Sequence, residues 1–285
     1  MNYVLHLIIL LEIFIILSLS LNLVVGLNGF LSLAQAAFYG IGAYTTALLM
    51  VAGHNFFISV LLAVIIATML SLLISIASLR FSGDIFILVT LAFQEVFFSI
   101  IYNWKSVTRG PFGIPGIPRV SLIGSSLAGL AFFYGILTCL VVFVMRIILR
   151  SQFALSVTAV REDVLAARGL GKNVFTLRTR SVAIAAAIAA IAGGMYASYL
   201  GFIDPTSFTV DESILLVAVV IVGGTGNLLG PIVGSAVIIL LPELLRFLQI
   251  PETVAPNIRL ILYGFCLVVF MYLRPRGIAG VYRLE

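Results

Sequence analysis

Long stretches of apolar residues dominate the chain, and most of them have no polar face. The stretch VLLAVIIATMLSLLISIASL, residues 60–79, is typical, because its side chains are apolar or small all around a helix. A helix needs about 20 such residues to cross the hydrocarbon core of a bilayer. A transmembrane barrel would instead show short segments in which apolar and polar residues alternate. The pattern therefore predicts transmembrane helices.

Seven apolar stretches are predicted to be spans. They cover residues 2–26, 30–52, 56–79, 85–102, 120–149, 181–200 and 258–273. Between residues 213 and 248, two shorter apolar runs flank the break GGTGNLLGP, and either two short spans or a re-entrant hairpin fits this pattern. The prediction is an all-α polytopic transmembrane bundle of about 8–9 spans, including broken or re-entrant helices. Residues 1–285 are expected to form a single transmembrane domain.

The composition agrees with a membrane protein. The chain is 62% hydrophobic, whereas soluble domains contain roughly 45–50% apolar residues. The N-terminal stretch lacks the basic region of a secretory signal, since the first Lys or Arg is Arg80, so it is expected to remain as a span. Cys139 and Cys266 lie singly in apolar runs, a pattern that favours neither a disulfide nor a metal site.

The basic residues predict the orientation. A net charge of +5 is compatible with nucleic-acid binding, but most Lys and Arg residues lie near span ends, as the positive-inside rule predicts for a protein in a lipid bilayer. Nucleic acid is therefore not an expected partner. Residues 146–180 hold seven of the sixteen Lys and Arg residues, and three more lie in residues 274–283. We expect both segments in the cytoplasm, with residues 102–119 and the N-terminus outside.

The cytoplasmic loop at residues 150–180 carries more charge than a membrane anchor requires. Residues 158–170 are predicted to form one amphipathic helix, with Thr158 as its N-cap and acidic residues in its first turns. Two interpretations remain open: a solvated helix that lies on the membrane, and a docking element for a cytoplasmic partner. Small and apolar residues recur on one stripe of this helix: Val160, Val164, Ala167 and Gly171.

The same loop resembles a known family. AVREDVLAARGLGKNVFTLRTRSVAIAAAIAAIAGGMYA is similar to the cytoplasmic loop and following span of permease subunits of bacterial ATP-binding-cassette (ABC) importers for branched-chain amino acids. In importer permeases generally, this loop carries an EAA…G pattern, and its short helix sits in a groove of the ATP-binding subunit. Leu165, Ala166, Ala167 and Gly171 occupy the four positions, with Leu165 in place of Glu.

Other segments resemble the same subunit in order along the chain. They are LNLVVGLNGFLSLAQAAFYGIGAYTTALL, TLAFQEVFFSIIYNWKSVTRGPFGIPGI, YLGFIDPTSF, VVIVGGTGNLLGPIVGSAVIILLPELLR and RPRGIAG. The resemblance implies a permease that translocates branched-chain or other hydrophobic amino acids delivered by an external binding protein. Urea, short amides and sugars remain open as cargoes, and an ion-coupled secondary transporter is the alternative from another class.

The resemblance also implies partners and a location. The partners are two ATP-binding subunits and a second, homologous permease subunit, and the location is the bacterial inner (cytoplasmic) membrane, which the chain crosses several times. The residues expected to couple to the ATPase are Val160, Arg161, Glu162, Val164, Leu165, Ala166, Ala167, Gly169 and Gly171.

No catalytic, cofactor or metal site is predicted. A phosphate-binding loop needs a glycine-rich turn followed by Lys and then Ser or Thr, but only Lys172 of the two lysines follows a glycine, and Asn173 comes next. With only His6 and His54 and no cysteine pair, neither metal binding nor nucleophilic catalysis is expected. ATP hydrolysis is therefore expected in partner subunits.

Polar residues within predicted spans are candidates for a translocation pathway. A charged side chain at mid-bilayer costs about 2.5–3.5 kcal/mol on insertion scales, so Glu12 and Glu95 are expected to face protein or water. Glycine-rich breaks at residues 26–44 and 223–234 expose backbone polar groups, although close helix packing by small residues is the alternative interpretation. The candidate pathway residues are Asn22, Asn28, Gln35, Gln94, Glu95, Gly223, Gly224, Thr225, Gly226 and Asn227.

Overall fold

The structure is a computed structural model that describes residues 2–80, 83–120 and 126–246 together with Gly264. The helices in this part of the chain are α1 (Asn2–Asn22), α2 (Gln35–Val51), α3 (Phe56–Arg80), α4 (Asp84–Asn103), α5 (Lys105–Thr108), α6 (Leu127–Leu149), α7 (Gln152–Glu162), α8 (Val164–Gly169), α9 (Val174–Leu200), α10 (Val210–Gly223) and α11 (Leu229–Arg246). Strand β1 (Ile114–Pro115) pairs antiparallel with β2 (Phe202–Ile203). The all-α fold class is confirmed.

Five of the described helices are long and apolar enough to cross a membrane. They are Tyr3–Leu27, Phe56–Ala77, Asp84–Asn103, Leu127–Leu149 and Val174–Leu200. Helices α2 and α10 are shorter, with 17 and 14 residues. The total of 8–9 spans stays a prediction, and the predicted span 258–273 lies outside the described residues.

Helices α1 and α9 form the centre of the bundle. In the most apolar 18 residues of each of these spans, 67% and 72% are buried, compared with 22–28% in α3, α4 and α6. Small residues allow the central helices to pack closely: a β-carbon added at Gly193 would lie only 2.1 Å from the carbonyl oxygen of Tyr39, so the backbones of α9 and α2 touch. The outer helices expose large apolar side chains such as Leu73, as expected of surfaces that face lipid.

Local caps explain why several helices start elsewhere than predicted. Helix α6 begins at Leu127 rather than at residue 120, because the Ser126 side chain caps it. Helix α9 begins at Val174 rather than at residue 181, because Asn173 accepts a hydrogen bond from an amide in its first turn. Arg178 and Arg180 therefore belong to the helix and not to a loop.

The prediction of one helix over residues 158–170 is wrong. The chain breaks at Asp163, whose carboxylate accepts hydrogen bonds from the amides of Leu165 and Ala166 at 2.7 and 3.0 Å. Aspartate is among the strongest N-cap residues, and here it starts a separate helix, α8. Thr158 is not a cap, because its hydroxyl donates to a backbone carbonyl inside α7.

The bundle has two distinct ends. At one end, α7 contacts the turn that follows α1, where the Arg161 guanidinium donates to the Gly26 carbonyl at 2.7 Å. At the other end lie β1, β2 and the N-terminal part of α1, where His6 hydrogen-bonds to the hydroxyl of Tyr199. Residues 146–180, expected in the cytoplasm, thus lie at the end opposite to residues 102–119 and the N-terminal part of α1, whereas residues 274–283 lie outside the described residues.

Candidate functional site

The first of two helix breaks follows α1. A π-helical turn, Leu23–Leu27, extends α1, and residues 29–34 are not helical before α2 begins at Gln35. The predicted span 30–52 therefore loses its first turn to the break. Gly29 has a φ of +74°, a conformation that favours glycine. π-helical turns are rare and occur often at functional sites.

The second break separates α10 from α11. Gly224 and Gly226 adopt φ values of +103° and +88°, which reverse the chain over a few residues. The side-chain oxygen of Asn227 accepts a hydrogen bond from the Gly230 amide at 2.7 Å, so it satisfies an amide in the first turn of α11. The described part of the region 213–248, up to Arg246, is thus two helices joined by a tight turn.

The two breaks meet at the side chain of Asn22, which is fully buried. Its amide nitrogen donates to the Asn227 carbonyl at 2.8 Å, and its oxygen accepts from the Gly226 amide at 3.0 Å. Gly26 lies against the same turn, because a β-carbon added there would come within 2.8 Å of the Gly226 nitrogen. We call the site formed by residues 22–29 and 223–230 the double-break junction.

Glycines bring α10 and α11 into backbone contact beside the junction. A β-carbon at Gly223 would lie 2.0 Å from the Gly230 carbonyl oxygen, and one at Gly234 would lie 2.1 Å from the Val219 carbonyl oxygen. No side chain fits between these helices. Gly223, a candidate pathway residue, therefore packs two helices together, as the alternative interpretation held.

Three polar residues in α1 hold the surrounding helices to it. Ser18 lies 2.8 Å from Ser235 in α11, and Ser20 donates to a carbonyl of α9 at 2.6 Å. Ser18 and Asn22 are four residues apart and share a face of α1, whereas Ser20 lies on the opposite side. The serines were not among the predicted site residues, although the spacing in LSLSLN is a signal that α1 has protein on two sides.

Two junction residues have buried polar atoms without a partner. Among the described residues, no hydrogen-bond partner is found for Asn28 Nδ2 or Thr225 Oγ1, although both residues are buried. Each belongs to one of the two breaks. Buried polar groups in proteins are normally paired, so these atoms need water, cargo or a different conformation.

The remaining pathway candidates lie apart from the junction. The Gln35 side chain is buried and donates to Ser20 at 2.7 Å. Gln94 is buried in α4 and donates to the Phe208 carbonyl at 2.7 Å, while Glu95 next to it is exposed on another side of the helix. Gln35 and Gln94 therefore hydrogen-bond within the bundle, whereas Glu95 lies on its surface.

Arg161 connects the loop helices to the junction. In addition to its hydrogen bond to Gly26, its aliphatic chain passes Gly29 so closely that a β-carbon there would lie 2.9 Å from Arg161 Cγ. A hydrogen bond from a charged donor is stronger than one between neutral groups. Helix α7 is thus attached directly to the first break.

The loop helices have an inward and an outward face. Val160 and Ala167 are buried and pack with Val174 at the start of α9, with half-buried Val164 beside them. The stripe that was expected to be a docking surface therefore mostly faces its own chain. By contrast, Leu165 and Leu170 are 76% and 78% exposed. Of the nine expected coupling residues, the exposed ones are Glu162, Leu165, Ala166, Gly169 and Gly171.

Known proteins are similar in sequence to this chain over most of its length. Residues 3–271 match the family described as "Branched-chain amino acid transport system / permease component". The chain is 33% identical to the high-affinity branched-chain amino acid transport system permease proteins LivM of Escherichia coli K12 and Salmonella typhimurium LT2, over 95% of its own length and 68% of theirs. It is 25% identical to a probable LivM of Methanocaldococcus jannaschii, over 76% of its own length and 67% of that protein's. No solved structure matches.

Proposed function

Because the chain belongs to the family of permease components of branched-chain amino acid transport systems, we propose that it is the membrane-spanning permease subunit of an ABC importer. Its cargo is branched-chain or other hydrophobic amino acids, which an external binding protein delivers. The chain forms a single transmembrane domain with a coupling loop at residues 150–180.

The importer is completed by other chains. Two ATP-binding subunits supply ATP hydrolysis, and a second, homologous permease subunit forms the pathway together with this one. The assembly lies in the bacterial inner membrane, with α7 and α8 in the cytoplasm. The basic residues of the loop and the five long apolar helices support this placement.

Two exposed leucines, Leu165 in α8 and Leu170 directly after it, are the observation that carries the proposal. Leu165 and Leu170 present apolar surface at an end of the bundle where the sequence is charged. Burial of apolar surface is favourable by roughly 25 cal/mol per Å², so such a pair is well suited to a groove in another protein. The docking face therefore comprises the outward side of α8 and the exposed residues that flank this helix, and we call it the outward face of α8: Glu162, Leu165, Ala166, Gly169, Leu170 and Gly171.

The inward face of the loop helices transmits the motion of the ATP-binding subunit. Val160 and Ala167 hold α7 and α8 against α9, so the helices move together with the bundle. Arg161 then transfers a displacement of α7 to Gly26, which is packed on Gly226. Packed elements with discrete arrangements are the physical means by which distant sites are coupled.

The double-break junction lies at the inner end of the pathway in this proposal. Broken helices within a membrane are tolerated where protein or a water-filled cavity satisfies their polar groups. The partnerless atoms of Asn28 and Thr225 provide groups that a hydrated pathway would satisfy. Gly224, Gly226 and Asn227 form the turn that Asn22 holds by its two hydrogen bonds. Loss of these hydrogen bonds would allow the turn to open.

The test is uptake of radiolabelled leucine by cells that express the chain together with its partner subunits and have no other leucine importer. Leu165→Glu and Leu170→Glu place a charge in the docking groove, and burial of an unpaired charge costs several kcal/mol. We expect both variants to reach the membrane in normal amounts, to lose uptake and to lose co-purification of the ATP-binding subunits.

The matched control is Leu200→Glu, an exposed leucine at the opposite end of the bundle. It should retain co-purification of the ATP-binding subunits. Wild-type uptake by both α8 variants would overturn the docking face. If the wild-type complex took up urea, short amides or sugars but not leucine, the cargo would be a different one. If an ion gradient drove leucine uptake without the ATP-binding subunits, the chain would not be part of an ABC importer.

A further inference from the structure

Helix α4 has a continuous face that no described part of the chain covers. Its exposed residues recur every three or four positions, which is the spacing of one helix face. Gln94, on another side, is fully buried against Phe208. The members of the uncovered face are Leu88, Ala92, Glu95, Val96, Ser99, Ile100 and Asn103.

In the half of this face from Glu95 to Asn103, a polar stripe lies beside the apolar residues Val96 and Ile100. Glu95, Ser99 and Asn103 are spaced by four residues, and the Asn103 side chain donates to the Ser99 carbonyl at 2.8 Å. No hydrogen bond or ion pair joins Glu95 to another described residue. From Glu95 towards the other end of α4, the face continues with Ala92 and Leu88 and is apolar. The polar stripe therefore runs from the end of α4 that adjoins α5 and β1 to the middle of the helix.

Lipid is a poor neighbour for this stripe, because a charged side chain near mid-bilayer is costly and such residues usually face protein or water. A packed partner helix would need only one polar contact at the depth of Glu95. It would not require the stripe to continue through Ser99 and Asn103 to the aqueous end. A water-filled vestibule that opens at that end accounts for both the extent and the direction of the stripe.

We infer that the Glu95–Ser99–Asn103 face of α4 lines the outer half of the translocation pathway and that the Glu95 carboxylate binds the ammonium group of the amino-acid cargo. This inference rests on the proposed import function and adds a cargo-binding group to it. An ammonium donates charge-assisted hydrogen bonds to a carboxylate, which are stronger than neutral ones. Val96 and Ile100 flank Glu95 and offer apolar contact to an aliphatic cargo side chain.

The first experiment tests access of water to the stripe. In the full importer, with Cys139→Ala and Cys266→Ala as background, single variants Ser99→Cys and Asn103→Cys are exposed in spheroplasts to a charged thiol reagent added outside. We expect both to be labelled. Met69→Cys is the matched control, because Met69 is 64% exposed at the middle of α3 without polar neighbours on its surface, and we expect no labelling there.

The second experiment tests the role of the charge. Without the binding protein, leucine should protect Ser99→Cys from the reagent, and 4-methylpentanoate, which lacks the ammonium group, should not. Adding Glu95→Gln should raise the leucine concentration that halves labelling by about tenfold, equivalent to about 1.4 kcal/mol. Glu95→Asp should restore part of the protection. If Glu95 had a purely structural role, Glu95→Gln would leave the preference for leucine over its ammonium-free analogue unchanged.

The outcomes separate the two proposals. If the wild-type complex does not import leucine, the proposed function is wrong. If it imports leucine but Ser99→Cys and Asn103→Cys stay unlabelled, water does not reach this face of α4 and the proposed vestibule does not exist. If both are labelled but Glu95→Gln leaves leucine protection unchanged, Glu95 does not bind the ammonium group.

Discussion

The double-break junction and the outward face of α8 both lie where helices are interrupted, but their surfaces differ. At the junction, Asn22 supplies hydrogen bonds to the second break, and Arg161 supplies one to the first. On α8, Asp163 satisfies the helix start, yet Leu165 and Leu170 remain uncovered. The junction is largely completed within the chain, whereas α8 has an apolar surface that requires a partner.

The difference distinguishes residues that contact only their own chain from residues that contact another subunit. Changes in the junction should affect the chain itself, because its contacts are internal. Changes on the outward face of α8 should affect association with another subunit and leave the chain folded. Arg161 lies between the two regions. A change of Arg161 should mainly affect the transmission of motion from α8 to the junction, and it should affect folding and association less.

The largest effect is expected from Gly26→Leu. A β-carbon at this position would lie 2.6 Å from Asn22 Oδ1 and 2.8 Å from the Gly226 nitrogen, so the two breaks must separate. We expect loss of leucine uptake and a lower thermal unfolding midpoint of the purified chain in detergent. Gly169→Ala is the control for stability, since nothing lies within 4 Å of the added carbon. Normal stability and uptake of Gly26→Leu would show that the breaks do not depend on their contact.

Asn22→Ala is expected to have the next largest effect. It removes both hydrogen bonds to the second break, so the Gly226 amide loses the Asn22 oxygen as its acceptor. A buried polar group that loses its partner costs about 1–3 kcal/mol. We therefore expect a lower unfolding midpoint together with reduced uptake. Asn103→Ala, at an exposed position, should leave the midpoint unchanged, and an equal decrease in both variants would contradict the comparison.

A smaller and more specific effect is expected from Arg161→Met. Methionine keeps much of the aliphatic packing on Gly29 but removes the hydrogen bond to the Gly26 carbonyl. Uptake should fall by about tenfold, consistent with the roughly 1.5–3 kcal/mol of a hydrogen bond to a charged group. Expression and co-purification of the ATP-binding subunits should be normal, unlike in Leu165→Glu, and Arg161→Lys should recover part of the uptake. Loss of co-purification would place Arg161 in the docking face instead.

Much of the fold follows from residues near one another in sequence. Whether a stretch such as 56–79 crosses a membrane depends on its composition and length, and both are properties of that stretch alone. The predicted span matches α3, Phe56–Arg80, to within one residue. Helix starts were less predictable from hydrophobicity. A single capping residue such as Asn173 or Ser126 sets the first residue of the helix, even where the apolar stretch begins at another position.

The start of α9 shows how a tertiary contact changes a boundary. Arg178 was predicted to lie in the cytoplasmic loop 150–180, because Lys and Arg are enriched in such loops. In the structure its guanidinium lies 4.4 Å from the centre of the Phe30 ring, so the charge gains a cation–π contact within the helix. Phe30 lies in the first break, about 150 positions earlier, and no local pattern connects the two residues.

By itself, the sequence determined that this chain is a bundle of membrane helices with a charged loop, two glycine-rich breaks and the resemblance that identifies its family. These features depend on composition, spacing and motif. Only the tertiary structure decided that the breaks meet at Asn22, that Arg161 joins the loop to Gly26, and that Val160 and Ala167 point inward while Leu165 points outward. The physical reason is that a helix face becomes buried or exposed through the neighbours that pack on it, and those neighbours come from distant parts of the chain.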